Sequence, residues 1–327
     1  MNRSAVPYAR IMGTGSSLPE QVWTNHDLER MVDTNDEWIR TRTGIERRHI
    51  ASEGETTADL AERASRAALE AAGVKANELD MIIVGTTTPD FIFPNVATII
   101  QDRLGANGCA AVSCEAACSG FIYALSIAEK FIRVGEAERI LVVGAETLSR
   151  FTDWTDRSTC VLFGDGAGAV VLGPSEETGI LKTQLYADGS HRDKLYFPSG
   201  VSSGFDSLKS GSDFVKMRGN EVYKFAVREF INAAEKILAD TGLTVEDIDW
   251  YVPHQANLRI IEAVAKRLKL PMEKVIVTIQ DQGNTSAASV PLALDIAVRD
   301  GRIQRGQTLL FEAFGGGFTW GAALLRY

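Results

Sequence analysis

Apolar residues along this chain follow two rhythms, and the alternation between them sets the expected architecture. From Ala58 to Ala72 they return at three- and four-residue steps, the spacing of one helix face, and Gly73 follows where a left-handed cap belongs. Leu79-Asp80-Met81-Ile82-Ile83-Val84 is then a short apolar run, the pattern of a strand buried on both faces. Val96 to Leu104 returns to helical spacing. Upstream, Ala9 to Gly13 reads as a strand followed by a loop, and Thr24 with Asn25 opens a short helix. Thr34-x-x-Glu37 has the pattern of a capping box opening another. Arg139 to Val143, Val161 to Phe163 and Ala169 to Leu172 read as further strands. This alternation predicts an α/β fold with largely parallel, buried strands.

The run Cys109 to Ile132, CAAVSCEAACSGFIYALSIAEKFI, begins as a strand and ends as a helix, with Phe121, Leu125, Ala128 and Ile132 on one face. Cys118 stands at the joint, and Gly120 leaves room for close backbone approach. A nucleophile at a strand-to-helix turn is a recurring catalytic device, and the helix dipole there favours a thiolate. On this stretch alone the other reading is a buried small hydrophobe.

The second half repeats the first. AAGVKANELDMIIVG (71–85) matches ADTGLTVEDIDWYVPH (239–254) when Gly73 is set on Gly242, an offset of 169 residues. The same offset sets Cys118 opposite Ala287, Ala124-Leu125 on Ala293-Leu294 and Ile127-Ala128 on Ile296-Ala297. We expect two α/β halves, 1–174 and 175–327, related by a pseudo-twofold axis around a shared core. Chemistry then sits at unlike positions, since Cys118 has no counterpart thiol and His254 corresponds to Gly85.

Composition narrows the function classes. The 327 residues are 45% hydrophobic and 24% charged, ordinary for a globular protein. A net charge of −9 argues against bulk nucleic-acid binding. No apolar run reaches membrane-spanning length and the start lacks a signal-peptide core, so a cytoplasmic protein without membrane or nucleic-acid partners is expected. The four cysteines read as reduced thiols, and their spacing is not that of a zinc site. Of four histidines, only His254 follows a buried strand, Asp249 to Pro253, placing it at the edge where α/β proteins bind ligands. Asn284, in Gln282-Gly283-Asn284-Thr285-Ser286, precedes the helix that mirrors the one after Cys118. Read singly, His254 is a structural hydrogen-bond partner and Asn284 an N-cap; the repeat is what sets both on edges equivalent to that of Cys118. Gly164 to Gly168, GDGAG, lacks a P-loop lysine and reads as a hairpin turn.

EAACSGF, VPHQANLRII, GNTSAASVP and EAFGGGFTWG, with DTNDEWIRTRTGI and FGDGAGAVVL, together resemble the β-ketoacyl-acyl-carrier-protein synthase III family over essentially the whole chain. The resemblance implies a thiolase-like five-layer α-β-α-β-α fold built from two duplicated halves. It implies an acyltransferase that starts fatty-acid synthesis by decarboxylative condensation of an acyl-CoA primer, acetyl-CoA foremost, with malonyl-acyl-carrier protein. The reaction would run ping-pong through an acyl-Cys118 intermediate. His254 and Asn284 would donate to the malonyl thioester oxygen, and the Cys118 and Gly316 amides would hold the acyl oxyanion. Phe314 would cover the site. Trp38, Arg42 and Arg157 would take the CoA adenine and its phosphates, and Asn220 the pantetheine arm. Arg259 and Lys266, seven apart on one helix face, would form with Lys224 a patch for the acidic carrier protein, a solvated helix face being the alternative. Phe93 would reach across a homodimer interface into the partner's acyl pocket. No cofactor is implied, since the CoA thioester and the phosphopantetheinyl carrier are substrates. A plain thiolase would want a second cysteine near the C-terminal end, and none follows Cys160.

Overall fold

The computed structural model describes residues 5–204 and 213–327. The first half contributes β1 (Tyr8–Ser17), α1 (Asp36–Thr43), α2 (Thr57–Ala72), β2 (Met81–Gly85), α3 (Val96–Leu104), β3 (Ala110–Cys114), α4 (Gly120–Arg133), β4 (Ile140–Glu146) and β5 (Gly166–Ser175). The second contributes β6 (Ile180–Ala187), α5 (Gly219–Thr241), β7 (Trp250–Pro253), α6 (Leu258–Leu268), α7 (Ser289–Arg299), β8 (Thr308–Gly315) and β9 (Thr319–Arg326). One sheet runs β1-β5-β4-β2-β3, with β4, β2 and β3 parallel and β5 antiparallel to both of its neighbours. The other runs β7-β8-β9-β6, with β7 and β8 parallel and β9 antiparallel to its neighbours. Where the first sheet has β3, the second has, among the described residues, an isolated Tyr251–Val275 bridge.

Helices α4 and α7 lie between the sheets, sharing one apolar core that includes Phe121, Leu125, Leu294 and Phe311. Helices α2 and α3 cover the outer face of the first sheet; α5 and α6 cover that of the second. The result is the α-β-α-β-α layering of the thiolase-like fold. Both faces of a central strand such as β4 are therefore covered, which is why all of Ile140–Glu146 is buried and reads as a continuous run rather than an alternation. The 169-residue register recurs in backbone geometry. Gly73 (φ 64) and Gly242 (φ 70) end α2 and α5, and non-glycine residues adopt left-handed backbone at Ala117 (φ 44) and Ser286 (φ 51).

Several local expectations are corrected. The first strand extends to Ser17, because Gly13 and Gly15 let its backbone lie directly on the alanine face of α2; an added Cβ at Gly13 would meet Ala68 O at 2.7 Å. Close backbone packing of this kind leaves no large apolar residue for a periodicity to register. Thr34 does not cap α1: the cap is Asn35, whose side chain accepts from Trp38 N at 2.8 Å. Val161–Phe163 is a turn with a single bridge from Phe163 to Asn284, and its apolar side chains serve a cavity wall. GDGAG is not a hairpin turn. Gly166 onward is strand, and Asp165 is buried, accepting from Ala51 N at 2.7 Å and Ser149 N at 2.9 Å. Among the described residues no helix is long and apolar enough to cross a membrane.

Candidate active site

Cys118 lies in a 3-10 turn, Ala117–Ser119, that joins the end of β3 to α4. The left-handed backbone at Ala117 stores about 1–3 kcal/mol of strain, so the turn must be held by side-chain hydrogen bonds. Two hydroxyls hold it: Ser119 Oγ donates to Ala116 O at 2.7 Å, and Thr319 Oγ1 donates to the same carbonyl at 3.0 Å. The glycine run that begins at the last residue of β8 passes the turn at contact distance. A Cβ on Gly315 would stand 2.5 Å from Cys118 N and 3.0 Å from Ala117 Cβ.

From the other half, His254 follows β7 directly, with its amide donating to Glu312 O at 2.7 Å. Gln255 holds the loop beyond it. Its side chain donates to Pro253 O at 2.8 Å and Ile276 O at 3.0 Å, and accepts from Thr278 N at 2.8 Å. Asn284 is fixed by its own backbone, donating to Leu162 O at 2.8 Å and accepting from Gly164 N at 3.0 Å. Its Oδ1 accepts from Ser286 N at 2.9 Å, so the NH2 is the end it can offer to a ligand.

These three side chains share one cavity of ≈ 960 Å³, whose lining also includes Phe314, Gly316, Asn220, Arg259, Trp38 and Arg42. Cys118, His254 and Asn284 are 8%, 1% and 7% exposed, so the chemistry sits on a floor nearly cut off from water. Burial pulls His254 down to about 3, leaving a neutral imidazole whose Nδ1 has no partner among the described residues. Burial pushes the Cys118 thiol up to about 12; the Glu146 charge adds to this and the neighbouring Ser286 hydroxyl opposes it. The expected resting thiolate is therefore overturned. Desolvation of the sulfur outweighs the helix end, and the resting group is a thiol. A neutral donor pair beside a buried thiol suits acyl transfer followed by stabilisation of an enolate.

At the outer part of the cavity the Trp38 ring lies 4.8 Å from both the Arg42 and the Arg157 guanidinium carbons, an arrangement suited to a flat base carrying phosphate charge. Arg157 also donates to Asp33 O at 2.8 Å. Phe314 packs with Phe225 and Phe318, ring centroids 5.6 and 4.7 Å away, as a rigid wall. Arg259 is exposed over Tyr223, linking α6 to α5 beside the opening. Lys224 and Lys266 are exposed on the same two helices but do not line the cavity. Phe93 is away from it, 84% exposed beside Phe91 and Ile92. Sequence reasoning passed over Ser286 and Glu146. The one available signal was Glu146 closing the apolar run Ile140–Ala145, an acid where a buried strand ends.

Two family models match: "3-Oxoacyl-[acyl-carrier-protein (ACP)] synthase III" over residues 113–189 and its C-terminal partner over 238–327. A β-ketoacyl-[acyl-carrier-protein] synthase III of Xanthomonas campestris pv. campestris is 63% identical over 320 residues, covering 98% of each chain. Among solved structures, the 3-oxoacyl-[acyl-carrier-protein] synthase III of Aquifex aeolicus VF5 is 49% identical with a TM-score of 0.92, covering 98% of this chain and 100% of that one. The priming β-ketosynthase of the R1128 polyketide pathway is 39% identical with a TM-score of 0.94, covering 99% and 97%.

Proposed function

Because the chain belongs to the 3-oxoacyl-[acyl-carrier-protein] synthase III family, we propose a division of labour in its cavity between Cys118, His254 and Asn284. The activity is the initiating condensation of an acyl-CoA with malonyl-acyl-carrier protein in fatty-acid synthesis. Cys118 attacks the primer thioester and keeps the acyl group while CoA leaves, so the cycle is ping-pong. The amides of Cys118 and Gly316 hold the oxyanion, which the contact between the glycine run and the Cys118 turn supports. His254 and Asn284, a neutral imidazole and a carboxamide, then donate to the malonyl thioester oxygen as CO2 departs. The carbanion attacks acyl-Cys118 under the cover of Phe314, away from water.

Trp38, Arg42 and Arg157 take the CoA nucleotide, Asn220 the pantetheine arm, and acetyl-CoA is the primer. Arg259, Lys266 and Lys224 receive the acidic carrier protein. A second copy of the chain pairs along β3, an edge strand with Val112 39% exposed, and the exposed apolar run Phe91-Ile92-Phe93 joins the interface, with Phe93 reaching the partner's acyl pocket. The homodimer works in the cytoplasm, with no cofactor. The likeness to a priming polyketide synthase supports one other reading, a starter-unit role in a secondary pathway; profiling acetyl-, isobutyryl- and octanoyl-CoA as primers separates the two.

One observation carries the assignment: residues from both halves meet at a single cavity that reaches from Cys118 to Trp38. Labelled acyl-CoA tests it. We expect Cys118→Ala to abolish acylation, and His254→Ala and Asn284→Ala to keep acylation while losing malonyl decarboxylation. Undiminished labelling of the Cys118 variant, or loss of acylation alone in the other two, overturns the roles.

A further inference from the structure

Glu146 ends β4 with its side chain fully buried, facing the turn before α7. Its carboxylate accepts from Thr88 Oγ1 at 2.6 Å, Thr87 N at 3.1 Å, Thr87 Oγ1 at 3.1 Å, Thr86 Oγ1 at 3.3 Å and Ser286 Oγ at 3.1 Å. No Lys, Arg or His forms an ion pair with it among the described residues. A buried carboxylate kept only for stability is ordinarily paired with a cation. Here every hydrogen-bond partner is an amide or a hydroxyl, and hydroxyls can donate or accept.

Ser286 stands between this carboxylate and the nucleophile. Its hydroxyl donates to Glu146 Oε1 at 3.1 Å, its turn packs against the Cys118 turn, and both residues line the same cavity. Its left-handed backbone (φ 51) and its N–H to Asn284 Oδ1 fix where the hydroxyl points. Sulfur, hydroxyl and carboxylate thus follow one another in a buried series that begins at the cavity floor and ends at Glu146 behind it.

We propose that Glu146, through the Ser286 hydroxyl, holds the proton that Cys118 gives up on attacking the primer thioester and returns it when Cys118 is expelled. This rests on Cys118 being the acylated residue. As the sulfur bonds to the acyl carbon, its proton passes to Ser286 Oγ and the Ser286 proton passes to Glu146. The bond from the acyl carbon to the CoA sulfur breaks, and CoA leaves as a thiolate that takes a proton from water. After the malonyl-derived carbanion has attacked acyl-Cys118, the carbon–sulfur bond breaks and the departing sulfur recovers its proton by the same path.

Charge explains the benefit. During the attack the buried site carries one negative charge, which moves from Glu146 to the reacting atoms and leaves with CoA, so activation desolvates no new ion. Burial pushes Glu146 up to about 7, which places a base near working pH. The segment after β2 and the turn before α7 face it with hydroxyls and amides. The turn before α4 brings Cys118, the titratable group set electrostatically against it among the described residues.

The test is rapid-quench acylation by labelled acyl-CoA from pH 5.5 to 9, with malonyl-carrier-protein decarboxylation measured alongside, in wild type, Glu146→Gln and Ser286→Gly. We expect wild-type acylation to rise with pH through an inflection near 7 and then level. In both variants the inflection should vanish and the rate near pH 7.5 should fall about 100-fold, the usual worth of a positioned base, with decarboxylation within threefold. Ser286→Gly suits the left-handed backbone and carries the test should Glu146→Gln fail to fold. A wild-type profile with no inflection between pH 6 and 8 overturns the relay. So does a variant that keeps the inflection, or a parallel fall in both half-reactions, the mark of a structural role. Acylation surviving in Cys118→Ala would instead refute the nucleophile and leave those outcomes distinct.

Discussion

Gly315→Ala isolates the contact between the two halves at the reacting centre. The new Cβ would stand 2.5 Å from Cys118 N and 3.0 Å from Ala117 Cβ, and both obstacles belong to a turn strapped by Ser119 and Thr319. Restoring ordinary van der Waals separation requires a relative shift of about 1 Å. A side chain could swing away; backbone cannot. Overpacking of this kind costs about 1–3 kcal/mol of stability. The catalytic cost is larger, because the shift moves the two amides proposed to hold the oxyanion, and losing one such donor costs about 10²–10³ in rate. We expect the acylation burst to slow about 100-fold or more, with circular dichroism close to wild type and denaturation shifted by only a few degrees. Gly189→Ala is the matched control, since its added Cβ meets nothing within 4 Å, and should match wild type in both. If Gly315→Ala folds and acylates within threefold of wild type, the glycine run does not set the oxyanion geometry.

Three further outcomes follow from named groups. His254 is held near 3 against an ordinary 6.5, so the unfolded chain takes up its proton first, and the stability this confers is present above pH 6.5 and lost as pH falls toward 3. Urea midpoints at pH 6.5 and 4.5 should lie further apart in wild type than in His254→Gln, by up to about 1.4 kcal/mol per pH unit; identical slopes refute a suppressed imidazole. Trp38→Ala should raise KM for acyl-CoA about tenfold, as loss of one base–aromatic stack implies, and leave acyl-pantetheine unaffected; an equal effect on both removes the nucleotide role. Arg259→Glu should lower kcat/KM for malonyl-carrier protein about tenfold at low salt, with the difference shrinking at high salt; a salt-independent effect argues against electrostatic docking.

Local pattern disclosed most of the helices and the buried strands. Val96–Leu104 and the helix ending at Gly73 were legible because a cap and a one-sided apolar face are short-range features. Val161–Phe163 misled for a complementary reason: an apolar run marks burial, and a cavity wall needs burial as much as a strand does. The glycines of β1 carried no periodicity because their role is to admit a helix that arrives from 40 or more residues away in the chain.

The sequence by itself determined that the chain is a duplicated α/β unit, with a thiol in one copy and an imidazole and a carboxamide in the other at equivalent edges. That information lies in residue type and in a constant 169-residue register, both of which survive in one dimension. Tertiary structure alone decided the protonation states and the connections. Cys118 is a buried thiol rather than a thiolate, His254 is neutral, and Ser286 beside the Cys118 turn donates to a carboxylate 140 residues away in the chain. Desolvation and hydrogen bonding depend on which atoms exclude water and on separations of a few ångströms between distant segments, quantities that come into being only when the two halves close on one another.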